Sequence, residues 1–135
     1  MNKKTTWFLF FLVAGITLAS CKKEDPIVTP PAPTKKELLS KKWKVDQVLV
    51  DSVDVTFFFG NARFDFRSNN TVILTLPFED PDTTVWAFNA AETQIIIGPP
   101  GDQEVLDILA LTSVQLKVRI QDPDEETLIT MSPAP

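Results

Sequence analysis

Val114-Gln115-Leu116-Lys117-Val118-Arg119-Ile120 alternates apolar and polar side chains without a break. Successive side chains of a strand point to opposite faces, so the four apolar residues share one face and Gln115, Lys117 and Arg119 the other. One face suits a core and the other suits water, as in an antiparallel sheet solvated on one side. Upstream, Arg63-Phe64-Asp65-Phe66-Arg67 repeats the pattern with two aromatics inward and charges outward. Ser68-Asn69-Asn70 follows, residues that tolerate positive φ, and 71–76 returns as the second arm of a hairpin.

The same period and turn chemistry predict strands at 43–50, 53–58, 83–89, 94–98, 105–111 and 127–131. Pro99-Pro100-Gly101 and Asp122-Pro123-Asp124 are strong breaks. Residues 35–42 predict a short helical turn, with Thr34 as N-cap and Glu37 completing a capping box. Short connections between so many strands favour a small all-β, antiparallel up-and-down barrel of about eight strands, with a β-sandwich as the alternative. Such a barrel is either filled by side chains or holds one small ligand.

At 135 residues the chain supplies one domain. A single cysteine excludes an internal disulfide framework. Histidine and tyrosine are absent, which removes the Ser-His and Cys-His pairs and the commonest metal ligand. Acid–base work would fall to carboxylates or lysines, and the carboxylates sit on outward faces (Asp46, Asp65) or in turns. No catalytic residue, metal site or cofactor is therefore expected. The acidic turns 79–82 and 122–126 lack EF-hand spacing and suit solvation better than Ca²⁺.

Two regions precede the barrel. Basic Lys3 and Lys4 lead into an apolar run, Trp7 to Ala19, too short to span a bilayer and typical of a signal peptide, here 1–20. Residues 21–34 follow as anchor and tether, with four prolines among residues 26–34 that keep the chain extended. Residues 35–135 form the barrel domain. Charge divides unevenly: residues 21–44 sum to +4 and residues 45–135 to −11. A basic base favours anionic lipid head groups, and an acidic body argues against nucleic acid.

Leu18-Ala19-Ser20-Cys21 resembles the lipobox of bacterial lipoproteins. The resemblance implies cleavage before Cys21, acylation of that residue, and attachment to the outer membrane on its surface or periplasmic side. Two or three acyl chains give near-permanent retention. Lys23-Glu24-Asp25 resembles a short export tag of surface lipoproteins, and a charged tether explains it equally well. Asp51-Ser52-Val53 and Asp82-Thr83-Thr84 resemble an O-glycosylation motif from the same bacterial group.

The stretch Leu38 to Val45, the 64–71 hairpin, the Trp86 strand and 108–120 together resemble the lipocalin-like domains of bacterial lipoproteins. That family carries Gly-x-Trp at its first strand, the tryptophan plugging the closed end. Trp43 matches the tryptophan, and Lys41 stands in place of the glycine. The resemblance implies the barrel and the plug role of Trp43; the residues themselves suggest a membrane-anchored binding protein, not an enzyme, holding a small apolar ligand among Trp43, Phe64, Phe66, Trp86 and Phe88. The alternative is a protein-interaction or enzyme-inhibitor module of the cell envelope with a filled barrel. Phe57-Phe58-Phe59 cannot all point inward from a strand, so at least one belongs at a rim. The three are candidates for contact with a ligand or an envelope partner, or for a bulge or lid over the core.

Overall fold

The alternating segments form nine strands: β1 Lys42–Val50, β2 Val53–Asp54, β3 Arg63–Phe66, β4 Thr71–Thr75, β5 Asp82–Phe88, β6 Gln94–Ile97, β7 Glu104–Leu111, β8 Leu116–Asp122 and β9 Glu125–Pro133. The structure, a computed structural model, describes residues 29–135. Cys21, the apolar run before it, Lys23-Glu24-Asp25 and the first residues of the proline segment lie outside the described residues.

All neighbours are antiparallel, in the order β1-β3-β4-β5-β6-β7-β8-β9, and β9 returns to β1. That seam runs from Trp43 opposite Pro133 to Val50 opposite Thr127, with an irregularity between Val45 and Gln47. Eight strands thus close into a barrel, and β2 is a short extra strand on the end of β1. Closure leaves the wall without a free edge.

Each wall strand sends at least one nearly or fully buried side chain to the axis: Trp43, Phe66, Val72, Trp86, Ile95, Leu106, Leu116 and Met131 in strand order. Each such burial stabilises the fold by about 1.5–3 kcal/mol relative to exposure. No polar or charged residue is buried among the described residues. Outward charges pair along or across the wall instead, Arg119 with Asp107 at 3.2 Å and Arg67 with Asp65 at 3.3 Å.

The two ends differ. The predicted capping box is present: the Glu37 amide donates to Thr34 Oγ1 at 3.2 Å, and the Thr34 amide to Glu37 Oε2 at 2.7 Å. The Thr34 amide, and next the Thr34 hydroxyl donating to the same Oε2 at 3.0 Å, hold the Glu37 carboxyl below the usual range. The capping box also starts helix α1, Lys35–Leu39, whose fully buried Leu39 closes one end. Asn70, expected in the first hairpin turn, adopts φ +66.

Two expectations are corrected. Residues 53–58 are not one strand: β2 ends at Asp54 and a 3₁₀ turn occupies Thr56–Phe59. The Asp54 carboxylate accepts from the Thr56 amide at 2.9 Å, and the Thr56 hydroxyl accepts from the Val48 amide at 2.9 Å, which bends the chain out of the ladder. Val114 is not an inward strand residue. It is 68% exposed, in a turn where the Thr112 hydroxyl accepts from the Val114 and Gln115 amides, and β8 begins at Leu116.

Candidate functional site

Four of the five aromatics expected to line the interior fill it from the closed end. Trp43 is fully buried, and its indole N–H donates to the Leu39 carbonyl at 3.0 Å, tying the plug to α1. The Lys41 ammonium lies 5.3 Å from the Trp43 ring centre and donates to the Ser113 carbonyl at 3.1 Å. A lysine where a glycine was expected thus locks the tryptophan by a cation–π contact across the β7–β8 turn. Phe66, Trp86 and Phe88 pack edge to face at 5.8 and 5.2 Å, and the Trp86 indole N–H donates to the Arg67 carbonyl at 3.0 Å. Their polar atoms are satisfied within the fold, so these rings act as core.

The fifth aromatic, Phe64, stacks on Phe66 at 6.2 Å and faces the other end. There a cavity of about 240 Å³ opens between β1, β3, β8 and β9. Its wall is apolar: Val45, Val48, Phe59, Phe64, Ile120 and Ile129, completed by Ala62, Leu76 and Thr127. Spacing along single strands did not reveal this set, because β3 pairs with β1 only at residues 42–44, so the loop carrying Phe59 and Ala62 completes the wall.

The 3₁₀ turn divides the three phenylalanines. Phe59 points into the cavity, whereas Phe57 and Phe58 are 91% and 65% exposed and touch edge to face at 5.4 Å. Phe78, two residues beyond the cavity-lining Leu76, is fully exposed with φ +65. Phe78 was not singled out from the sequence. The signal was present as an aromatic inside the turn Pro77-Phe78-Glu79-Asp80.

Carboxylates surround this mouth. Glu104, at the start of β7, is held above the usual carboxylate range by partial burial and then by repulsion from Asp122. The register sets Asp122 opposite Glu125 on β9. Ser52 and Thr83, the two motif hydroxyl residues, are both exposed and belong to the same end. Among the described residues no three acidic side chains converge as a metal site.

Two larger hollows are open depressions on the outer surface. One of about 430 Å³ lies over the β4–β5–β6 junction beside Asn70 and Val85, and one of about 340 Å³ lies beside α1 between Lys36 and Ser68. Neither reaches the cavity at the mouth. No protein-family model matches the chain, and no curated protein matches it either.

Proposed function

We propose that this chain is a lipid-anchored envelope protein, acylated at Cys21, whose lipocalin-like barrel is a binding module for a partner protein. The carrying observation is an apolar cavity whose bordering segments carry exposed phenylalanines, Phe57 and Phe58 in contact beside the cavity-lining Phe59 and Phe78 in the turn after the cavity-lining Leu76. Water-exposed aromatics grouped at one place mark interaction surfaces. Small-molecule pockets usually measure about 300–1,000 Å³, so a cavity of 240 Å³ suits one or two apolar side chains better than a whole ligand. Within the barrel domain, α1 lies at the closed end, opposite the mouth. No catalytic role is assigned.

In-cell photo-crosslinking tests the reading. A photoreactive residue at position 57 or 78 gives a discrete heavier adduct, and one at Lys117 on the outer wall does not. Equal adducts from both places, or none, defeat it. Cys21→Ala releases the protein from the membrane fraction if acylation anchors it. A second reading, a short apolar tail held in the cavity, draws on the wall's wholly apolar lining. Native mass spectrometry showing a retained mass of small-molecule size selects it.

A further inference from the structure

The cavity explains the apolar part of the mouth but not its charge. Four connections meet at this end: residues 51–62, 76–81, 98–103 and 123–124. They carry Asp51, Asp54, Glu79, Asp80, Asp102 and Asp124, and no lysine or arginine. The strand ends beside them add the row Glu104, Asp122 and Glu125 and a single cation, Arg63 at the start of β3, whose guanidinium donates to the Ala62 carbonyl at 2.9 Å. Like charges on neighbouring strands are destabilising. The ion pairs found among the described residues join Lys44 to Asp46, Arg67 to Asp65 and Arg119 to Asp107, and none involves these carboxylates. The closed end has the opposite character: Lys35 donates to the Glu92 carbonyl, Lys36 to Asn70 and Lys41 to the Ser113 carbonyl. Charge is therefore sorted along the barrel axis.

One of the strained residues at this end is an exposed aromatic. A non-glycine residue with φ near +60° costs roughly 1–2 kcal/mol relative to its ordinary conformations. Phe78 bears that cost with its ring fully in water, so no contact within the fold accounts for a phenylalanine there. Strain that buries nothing is a mark of a residue kept for an external contact.

We infer that the mouth receives a cationic segment of a partner polypeptide. Apolar side chains of that segment enter the cavity beside Phe59 and Phe64, and its lysines or arginines meet the rim carboxylates and the exposed faces of Phe57, Phe58 and Phe78. This rests on the reading of the barrel as a partner-binding module and adds the partner's chemistry. Phenylalanine faces attract cations, and a rim of carboxylates, two of them hydrogen-bonded to backbone amides and none in an ion pair among the described residues, supplies complementary potential. An anionic membrane or a nucleic acid would be repelled by the same rim. A contact surface spread over four connections is larger than a small cation covers.

The test uses full-length protein in non-ionic detergent and a random peptide library of about 12 residues displayed on phage, with affinities of selected peptides read by fluorescence polarisation. Selected peptides should be rich in lysine or arginine next to apolar residues. Their affinity should fall at least about tenfold in Phe57→Ser/Phe58→Ser, and by a similar factor in Asp80→Lys/Asp102→Lys or on raising salt from about 50 to about 500 mM. Glu104→Lys/Asp122→Lys serves as a second charge reversal, with a cooperative melt and an unaltered far-ultraviolet dichroism spectrum of each variant confirming its fold. Neutral or acidic peptides that still depend on Phe57 and Phe58 overturn the cationic partner and leave the binding module standing. Basic peptides insensitive to charge reversal overturn it as well. Failure to select any peptide that depends on the mouth removes both.

Discussion

Two residues with positive φ show how differently one backbone state is used. Asn70 at φ +66 donates from its side-chain Nδ2 to the Trp86 carbonyl at 3.1 Å and accepts at Oδ1 from Lys36 at 2.7 Å, so its side chain repays its backbone geometry. Asn70→Ala should destabilise the fold by about 1–3 kcal/mol in urea unfolding, with Asn70→Gly recovering the backbone part of that loss. Phe78 at φ +65 has no such bonds in the fold. Phe78→Gly should therefore stabilise the protein, by about 0.5–1 kcal/mol, while weakening capture at the mouth. A variant that becomes less stable and less able to bind together would instead make Phe78 a structural residue. Asn70 was legible in the sequence because Ser68-Asn69-Asn70 sits between two alternating arms. Phe78 was not, because a turn predicts small or polar residues and gives no reason for a phenyl ring.

Among the elements, the first hairpin and the capped helix were legible because their signals are local: two alternating arms around a permissive turn, and Thr34 three residues before Glu37. The segment after β1 was not. Val53-Asp54-Val55-Thr56 alternates like a strand, and the bend into a 3₁₀ turn rests on the local bond from the Thr56 amide to the Asp54 carboxylate and on one from the Val48 amide to the Thr56 hydroxyl, eight residues away in sequence. The turn they hold places Phe59 in the cavity and leaves Phe57 and Phe58 outside. Thr56→Val keeps the side-chain shape and removes the acceptor, leaving the part-buried Val48 amide unpaired at a cost of about 1–3 kcal/mol. Hydrogen exchange at the Val48 amide should speed up while that of the Met131 amide, on the same seam at the closed end, stays slow. Equal acceleration at both sites would mean that Thr56 supports the whole barrel and not the mouth. The mouth's wall was hidden for the same reason, since Phe59, Leu76 and Ile120 come from separate segments and meet only when the barrel closes.

At the scale of the whole molecule, an up-and-down order and its closure into a barrel were readable from short connections and from the two edges a meander must hide, but the register of the seam was not, because it joins β1 to β9 across nearly the full domain. Closure also gathers at one end carboxylates that are scattered in sequence, and this fixes how stability responds to pH. Glu104 has its folded pKa raised, so the native state holds that proton more tightly and stability falls as pH rises through its titration. Asp107 is held below the usual range, first by the Gln94 amide and then by Arg119, and Asp54 and Glu37 are lowered by bonds from Thr56 and Thr34. Their contributions are complete above the unfolded carboxylate range and are lost as pH falls through their folded values. Calorimetric melting from about pH 3 to about pH 8 should therefore peak on the mildly acidic side of neutrality. Glu104→Gln should flatten the decline above the peak, and Asp107→Asn should remove part of the rise below it. Added salt at neutral pH should raise the melting temperature, because screening relieves the unpaired rim more than it weakens three partly exposed ion pairs. A melting temperature that falls with salt would show that the wall's ion pairs outweigh repulsion at the mouth, and would remove the electrostatic ground for a cationic partner there.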